Sequence, residues 1–325
     1  MSVLVTGGAG YIGSHVTLAL LDRGDDVVVL DNLCTGNRAH VGAGAHFVEG
    51  DVADKPLVAQ TLARHGVTSV LHFAGSIVVP DSVADPLGYY ENNVVRSRDL
   101  IAACVAGGVQ HFIFSSTATV YAADAPQPLM EDERKAPISP YARSKLMTEW
   151  MLEDVSRAHA MRHMVLRYFN VAGADPEGRT GQSSPKATHL IKRAAQVALG
   201  RVPHLDIFGT DYPTPDGTGV RDYIHVSDLA AAHLLALDAL RSGAPSSTYN
   251  CGYGRGLSVR DVVSGVERVI GRHLPVLEQE RRAGDPPTLI SDPSRIKQAL
   301  GWKPVHDDLD EIIGSAIAWE RRFNR

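Results

Sequence analysis

Tyr141 and Lys145 stand four residues apart in Ser139-Pro140-Tyr141-Ala142-Arg143-Ser144-Lys145. On a helix that spacing is about one turn, so the phenol and the ammonium leave the same face and can act on one ligand. A phenol drawn down from its ordinary pKa near 10 by neighbouring positive charge can take a hydroxyl proton, so the pair suggests redox chemistry on an alcohol. Ser139 is a good N-cap and Pro140 suits the first helical position, so the helix is expected to begin where the tyrosine enters.

A second group of residues could hold the oxidant. Gly7-Gly8-Ala9-Gly10-Tyr11-Ile12-Gly13 follows a β-branched run and opens a helix. Gly7 permits a tight turn, Gly10 lets the backbone approach a pyrophosphate, and Gly13 lets the helix pack close to the sheet. The pyrophosphate would rest on the helix N-terminus, where free N–H groups favour negative charge. Asp31, about 18 residues further on, ends the second predicted strand, where a carboxylate accepts from the adenosine ribose hydroxyls and repels a 2′-phosphate. NAD is therefore expected rather than NADP. Gly252, Gly254 and Gly256 also precede a helix, but with the upstream half claiming the cofactor they read as a structural turn.

These groups must be positioned by a sheet. The first half alternates short apolar runs with helical stretches, the signature of parallel strands covered on both faces. Strands are predicted at Val3–Thr6, Val27–Asp31, His46–Glu49, Ser69–Phe73, His111–Ser115 and His163–Tyr168, with helices at Ile12–Arg23, Lys55–His65, Tyr90–Gly107 and Pro140–His159. The second half is less regular, with helices near Ser184–Gly200, Ser227–Leu240, Ser258–Ile270, Pro293–Leu300 and Leu309–Arg321, and strands near Leu205–Phe208 and Thr248–Asn250. Ser258 and Asp261 have the spacing of a capping box. The expectation is an α/β fold: a doubly wound parallel Rossmann sheet over residues 1–170, completed by about 221–250, with a smaller C-terminal α/β substrate domain over most of 171–325.

Composition bounds the function. The chain has 325 residues, 44% hydrophobic content and a formal charge of −5, enough for a substantial core and contrary to a dedicated nucleic-acid binder. Cys34, Cys104 and Cys251 are odd in number and widely spaced, which suits neither a disulfide framework nor a Cys-x-x-Cys metal site. Fourteen histidines include no His-Glu-x-x-His, so no metal is expected. The first strand begins almost at residue 1 and no apolar run approaches 18 residues, so a cytoplasmic protein with no membrane association is expected.

Taken together the motifs resemble the extended short-chain dehydrogenase/reductase superfamily and, within it, the UDP-glucose 4-epimerase family. The resemblance runs over nearly the whole chain: Thr6 to His15, Leu30-Asp31-Asn32-Leu33, Glu49-Gly50-Asp51, His72-Phe73-Ala74-Gly75, Tyr89 to Val94, Phe114 to Tyr121, Arg167-Tyr168-Phe169-Asn170, and Asp211 to Val226. The last block is the most specific. The resemblance implies NAD contacts at Tyr11, Ile12, Asp31, Asn32, Asp51, Val52, Phe73, Ala74, Asn92 and Phe169, with Tyr141 and Lys145 at the nicotinamide end and Thr117 hydrogen-bonding the reacting oxygen. It implies UDP-sugar contacts at Asn170, Leu190, Phe208, Arg221, Arg282 and Asp285. Two arginines suit a diphosphate, and Phe208 can pack on uracil.

The implied reaction interconverts UDP-glucose and UDP-galactose: Tyr141 takes the proton of the 4-hydroxyl while hydride passes to NAD, the 4-keto sugar turns, and hydride returns to its other face. Lys145 and the nicotinamide charge are expected to lower the Tyr141 phenol. The chain departs from the family in having Thr117 for serine, Ile77 for a cofactor-contacting lysine, His189 for asparagine at the substrate, and Leu289 at the specificity gate. UDP-N-acetylhexosamines and pentoses therefore stand as alternative substrates. A nucleotide-sugar 4,6-dehydratase would carry Asp-Glu where Ala118 and Thr119 stand, and a non-catalytic dinucleotide sensor would commonly lack the Tyr/Lys pair. A homodimer is implied, with Val94, Val95, Ile101, Met147, Trp150 and Met151 either supplying its surface or facing the sheet.

Overall fold

The computed structural model describes residues 2–184, 188–282 and 285–323. Its first half is laid down as alternating strands and helices: β1 (Ser2–Thr6), α1 (Tyr11–Asp22), β2 (Asp26–Asp31), β3 (His46–Glu49), α2 (Lys55–His65), β4 (Val67–His72), α3 (Val79–Ala84), α4 (Pro86–Tyr90), α5 (Arg96–Ala106), β5 (His111–Thr117), α6 (Pro140–Ala158) and β6 (Arg162–Tyr168). Helix starts follow local chemistry. The Ser139 hydroxyl accepts from Ala142 N at 3.2 Å to cap α6, and the Asp54 carboxylate accepts from Leu57 N at 3.0 Å to cap α2, each satisfying a donor the helix leaves free.

The second half contributes β7 (Asn170–Ala172), α7 (Leu190–Ala198), β8 (Leu205–Phe208), β9 (Val220–His225), α8 (Val226–Arg241), β10 (Ser247–Cys251), β11 (Gly256–Ser258), α9 (Val259–Ile270), β12 (Val276–Gln279), β13 (Thr288–Leu289), α10 (Ser294–Leu300) and α11 (Leu309–Phe323). The capping box expected at Ser258 and Asp261 forms at the start of α9.

Seven parallel strands make the main sheet, in the order β3-β2-β1-β4-β5-β6-β10. Its inner strands are buried on both faces, as apolar parallel strands must be, and the edge strand β3 is partly exposed. Val3, Val5, Val27 and Val29 pack with α8 residues Leu229, Ala236 and Leu237 on one side. Leu4, Val28, Val70 and Phe112 pack with Leu62, Leu100 and Leu152 on the other. The strand order reverses between β1 and β4, and the crevice beyond the carboxyl ends of strands at such a point is where doubly wound sheets take ligands. The smaller lobe sets β11, β13 and β7 around β9, pairs β8 with β12, and packs α7, α9 and α11 around Ala194, Val262, Val266 and Ile312.

Two expectations need correcting, and a third, open between two alternatives, divides between them. The helix read over Tyr90–Gly107 is α4, one π-helical turn at Glu91–Val95 and α5, with Arg96 N reaching back to the Glu91 carbonyl. The helix read from Ser184 starts at Leu190, and residues 185–187 of that reading lie outside the described residues. Of the apolar side chains offered for a dimer surface, Ile101 is buried in the core beside Leu152, whereas Trp150 is 54% exposed. The strands β7, β9, β11, β12 and β13 and the helix α3 were not read at all, being short or polar.

Burial of neutral histidines predicts an acid-labile fold. Burial pushes His15, His163 and His233 down to about 4 and His72 to about 3. His72 is held as a neutral ring between the Thr6 hydroxyl at 2.7 Å and the Ser97 hydroxyl at 2.9 Å. Their folded pKa values lie below the unfolded value near 6.5, so the stability they permit is complete above that pH and is lost as pH falls through 6.5 toward 4. Each can contribute up to about 1.4 kcal/mol of loss per pH unit in that window. The thermal midpoint is expected to fall steeply between pH 7 and 5; an unchanged midpoint would contradict the burial of neutral rings.

Candidate functional site

The glycine loop is shaped by close backbone contacts. Gly7 has φ +69°, donates its N–H to Leu30 O at 2.9 Å, and accepts from Gly10 N at 3.0 Å. A β-carbon on Gly7 would lie 2.6 Å from Ala74 N, and one on Gly13 would lie 2.2 Å from Gly7 O. A β-carbon on Gly10 would meet only Gly7 O, at 3.2 Å, so the outer side of the turn is open to a ligand. Gly10 caps α1 without a side-chain hydrogen bond, and no acidic residue occupies the first turn. The free N–H groups of Tyr11, Ile12 and Gly13 and the positive end of the helix are thus left for an anion. The Tyr11 phenol turns away to donate to Gly173 O at 2.7 Å.

Asp31 closes the second side. Its Oδ2 accepts from Ala9 N at 2.9 Å and its Oδ1 from Leu33 N at 2.8 Å, leaving each oxygen a lone pair for a ribose hydroxyl. Leu33 has φ 56°, a backbone conformation that costs a branched residue energy and is found at functional turns. Beyond it Asn32 Nδ2 donates to Asp51 Oδ2 at 3.1 Å and Ala53 N to Asp51 Oδ1 at 2.9 Å, while Arg96 forms an ion pair with the same carboxylate. Val52 is buried. Asp31, Asn32, Asp51, Phe73 and Ala74 thus surround the glycine loop, and the donor set fits an adenosine diphosphate half of NAD. Arg96 was not read from the sequence.

Tyr141 and Lys145 sit on the first two turns of α6, both buried. Lys145 Nζ donates to Ser115 O at 3.0 Å and lies 4.9 Å from the Phe114 ring centroid. Burial lowers its ammonium to about 8, against the Glu149 carboxylate, which raises it. Burial raises the Tyr141 phenol, Tyr168 adds to the rise, and the hydrogen bond with Thr117 opposes it. The expected lowering needs the nicotinamide charge as well as Lys145, whose ammonium is engaged with the Ser115 carbonyl. Thr117, the last residue of β5, has its hydroxyl 3.0 Å from the Thr119 hydroxyl.

The π-helical turn fixes this end of the site. Asn93 accepts from Ser76 N at 2.8 Å and donates to Ser76 O at 2.9 Å and Ser144 Oγ at 3.1 Å, fastening the loop after β4 to α6. Asn92, the residue the resemblance named, donates to Ser76 Oγ at 2.9 Å. The adjacent Asn-Asn pair was the only local signal for Asn93. Phe169 is buried with Ala118, Val120 and Leu146, and Leu289 packs against that cluster.

The sugar-side residues converge through β9. Leu289 pairs in register with Arg221, and Arg221 Nη1 donates to Val220 O at 2.9 Å while its Nη2 lies 3.7 Å from Asp285. Arg282 stacks over Phe208, its guanidinium carbon 3.7 Å from the ring centroid, so one face of the ring expected to meet uracil is covered by an arginine. Asn170 pairs in register with Tyr223 of β9. His189, at the N-cap of α7 ahead of Leu190, has its ring 3.5 Å from Gln182 Nε2 and is lowered by burial and Lys192. Among the described residues no group of three His, Cys, Asp or Glu side chains could hold a metal ion, and no helix is long and apolar enough to cross a membrane.

Comparison with known proteins is consistent along the chain. It is 56% identical over 323 residues to the UDP-glucose 4-epimerase of Azospirillum brasilense, covering 99% of this chain and 93% of that protein. The structure of UDP-glucose 4-epimerase from Brucella ovis in complex with NAD superposes with a TM-score of 0.94 at 45% identity, covering 98% of this chain and 97% of that one. The UDP-Glc/GlcNAc 4-epimerase of Campylobacter jejuni superposes with a TM-score of 0.85 at 45% identity, covering 99% of each chain. The model of the NAD dependent epimerase/dehydratase family matches residues 3–252. With that match covering most of the chain and the strands of the seven-stranded sheet, the chain belongs to the NAD dependent epimerase/dehydratase family.

Proposed function

We infer that this chain interconverts UDP-galactose and UDP-glucose by transient NAD-dependent oxidation at carbon 4 of the hexose. The observation that carries the reading is the buried Tyr141 phenol beside Thr117 and one turn from Lys145, at the end of a sheet whose other crevice residues fit a dinucleotide. Bound NAD supplies a hydride acceptor and a positive ring. Gly7, Gly10, Tyr11, Ile12 and Gly13 would hold its pyrophosphate and Asp31 its adenosine ribose, with Asn32, Asp51, Val52, Phe73, Ala74, Asn92, Lys145 and Phe169 completing the dinucleotide site.

Tyr141 takes the proton of the sugar's 4-hydroxyl and, after the keto sugar has turned, returns it to the same oxygen as hydride is restored to the opposite face of carbon 4. Thr117 donates to the same oxygen. Because burial and neighbouring tyrosines raise the free phenol, Tyr141 is a base only with positive charge beside it, which ties proton removal to a loaded site. Arg221 and Arg282 clamp the diphosphate, and Asn170, His189, Leu190, Phe208 and Asp285 line the uridine and sugar. Strong contacts at the nucleotide and weak ones at the hexose let the keto sugar turn.

A second reading, a 4-epimerase that also takes N-acetylated sugars, is favoured by Leu289: it packs beside the Thr117 end of β5, where a bulkier aromatic would leave less room. Coupled detection of UDP-glucose formed from UDP-galactose without added oxidant tests the first reading, and the same assay on UDP-N-acetylgalactosamine tests the second. No product from either sugar would remove the epimerase assignment. The division into an NAD domain (1–170 with 221–250) and a UDP-sugar domain (most of 171–325), a cytoplasmic location and a homodimer belong to the same proposal. For the dimer, Val83 (64% exposed), Leu87 (78%) and Trp150 form the apolar surface of α3, α4 and α6; sedimentation as a monomer at micromolar concentration would exclude it.

A further inference from the structure

We propose that the buried Glu149–Arg167 ion pair is a positioning unit for the reaction: it fixes the carboxyl end of β5, and with it Lys145 and Thr117, and ties that end to the segment carrying Leu289. The proposal rests on the epimerase reading above.

Glu149 and Arg167 are 6% and 4% exposed. Arg167 Nε donates to both carboxylate oxygens, at 3.1 and 3.2 Å, and the Ser116 hydroxyl donates to the same carboxylate. Ser116 lies between the two residues that matter at the strand end: Ser115, whose carbonyl accepts from Lys145 Nζ, and Thr117. Glu149 also stands one turn after Lys145 on α6. One carboxylate therefore reaches the strand from the helix that carries the Tyr/Lys pair.

The other arm of Arg167 reaches the sugar side. Its Nη1 donates to Tyr121 Oη at 2.9 Å and Glu131 O at 3.1 Å. Tyr121 Oη donates to Asn250 Oδ1 at 2.7 Å, and Asn250 Nδ2 to Leu129 O at 2.8 Å. Leu129 N donates to Ile290 O at 2.8 Å, the residue after Leu289. An unbroken series of hydrogen bonds thus runs from beneath Ser116 to the gate.

Stability alone is a weak reason for such a pair. Desolvating two charges costs so much that apolar replacements of buried ion pairs are often neutral or stabilising. What a fully hydrogen-bonded pair supplies here is fixed geometry and one negative charge near Lys145. The other groups facing that ammonium are Tyr141 on α6, the Ser115 carbonyl and Phe114 ring on β5, His72 on β4, neutral by burial, and the uncharged Asn93 amide across Gly75. Glu149 is the group that keeps it protonated against burial.

The test uses the full-length, NAD-loaded protein after wild-type turnover of UDP-galactose has been established, so that failure of the epimerase reading is seen first. Glu149→Gln is expected to lower kcat by about tenfold or more with KM within about twofold. It is also expected to move the basic limb of the pH–kcat profile down by about one unit, because Lys145 loses its proton more easily. The double variant Glu149→Gln with Arg167→Met, which leaves no unpaired charge, is expected to recover the thermal midpoint and not kcat. If Glu149→Gln does not fold, Ser116→Ala carries the test, with the same fall in kcat at unchanged KM. Wild-type kcat and pH profile in the variant that folds would overturn the proposal and leave the pair a structural one.

Discussion

Tyr141→Phe is expected to keep its bound NAD and its fold and to lose epimerase turnover by about 10²- to 10⁴-fold, the range removed with a positioned acid–base group, equivalent to about 3–5 kcal/mol of barrier. The ring is buried, and phenylalanine fills the same space with the same rotamers, so the substitution removes only the hydroxyl and at most one hydrogen bond to a neighbour such as Thr117. One such hydrogen bond is worth about 1 kcal/mol of stability, far less than the kinetic effect. The distinction between structural and chemical loss is therefore clean. Acid release of NAD from the purified variant and a thermal midpoint within a few degrees of wild type would accompany the lost activity. Wild-type turnover in Tyr141→Phe would take the phenol out of the mechanism and leave Thr117 as the nearest hydroxyl at the strand end. The effect belongs to kcat rather than KM if Tyr141 acts on the reacting proton, because the nucleotide end of the substrate is held elsewhere.

What the sequence made legible was local. Gly7, Gly10 and Gly13 are read from spacing because a turn and a close helix approach are decided within a few residues, and Ser139-Pro140 announces the start of α6 for the same reason. What it hid depends on partners far along the chain. Asn93 meets Ser144 across 51 positions, Arg96 meets Asp51 across 45, and Arg167 meets Glu149 across 18. In sequence each is an ordinary polar residue on a helix or strand, and nothing marks its distant partner. The phenol shows the same limit in energetic terms: its spacing to a lysine is visible in sequence, whereas the desolvation that raises the phenol and lowers the ammonium is a tertiary quantity. Phe208 was legible as an aromatic beside the substrate, whereas its cover by Arg282 follows from β8 pairing with β12. The π-helical turn at Glu91–Val95 was hidden because its residues suit a helix of either period.

Gly13→Ala is expected to cost both stability and cofactor, and the reason is steric. The added methyl would stand 2.2 Å from Gly7 O and 2.9 Å from Gly7 C and Gly8 Cα. All three are backbone atoms, so no side chain can rotate away. Nor can the loop retreat, since Gly7 is itself backed against Ala74 at a distance that excludes even a β-carbon. Relief requires α1 to move outward, which opens its packing against the sheet and α8 and withdraws the N–H groups of its first turn from the pyrophosphate. Overpacking of this kind costs about 1–3 kcal/mol, roughly 2–5 °C in thermal midpoint for a chain of this length. Loss of the aligned donors should reduce retained NAD to about a tenth of wild type or less, since about 1.4 kcal/mol of lost contact already gives a factor of ten. Gly314→Ala serves as the matched control: it lies inside α11, where an added β-carbon meets nothing within 4 Å, and helix propensity predicts a gain of about 1 kcal/mol. A Gly13→Ala protein with wild-type midpoint and full NAD content would mean that the loop is not the close-packed cradle described, and the placement of the dinucleotide at α1 would go with it.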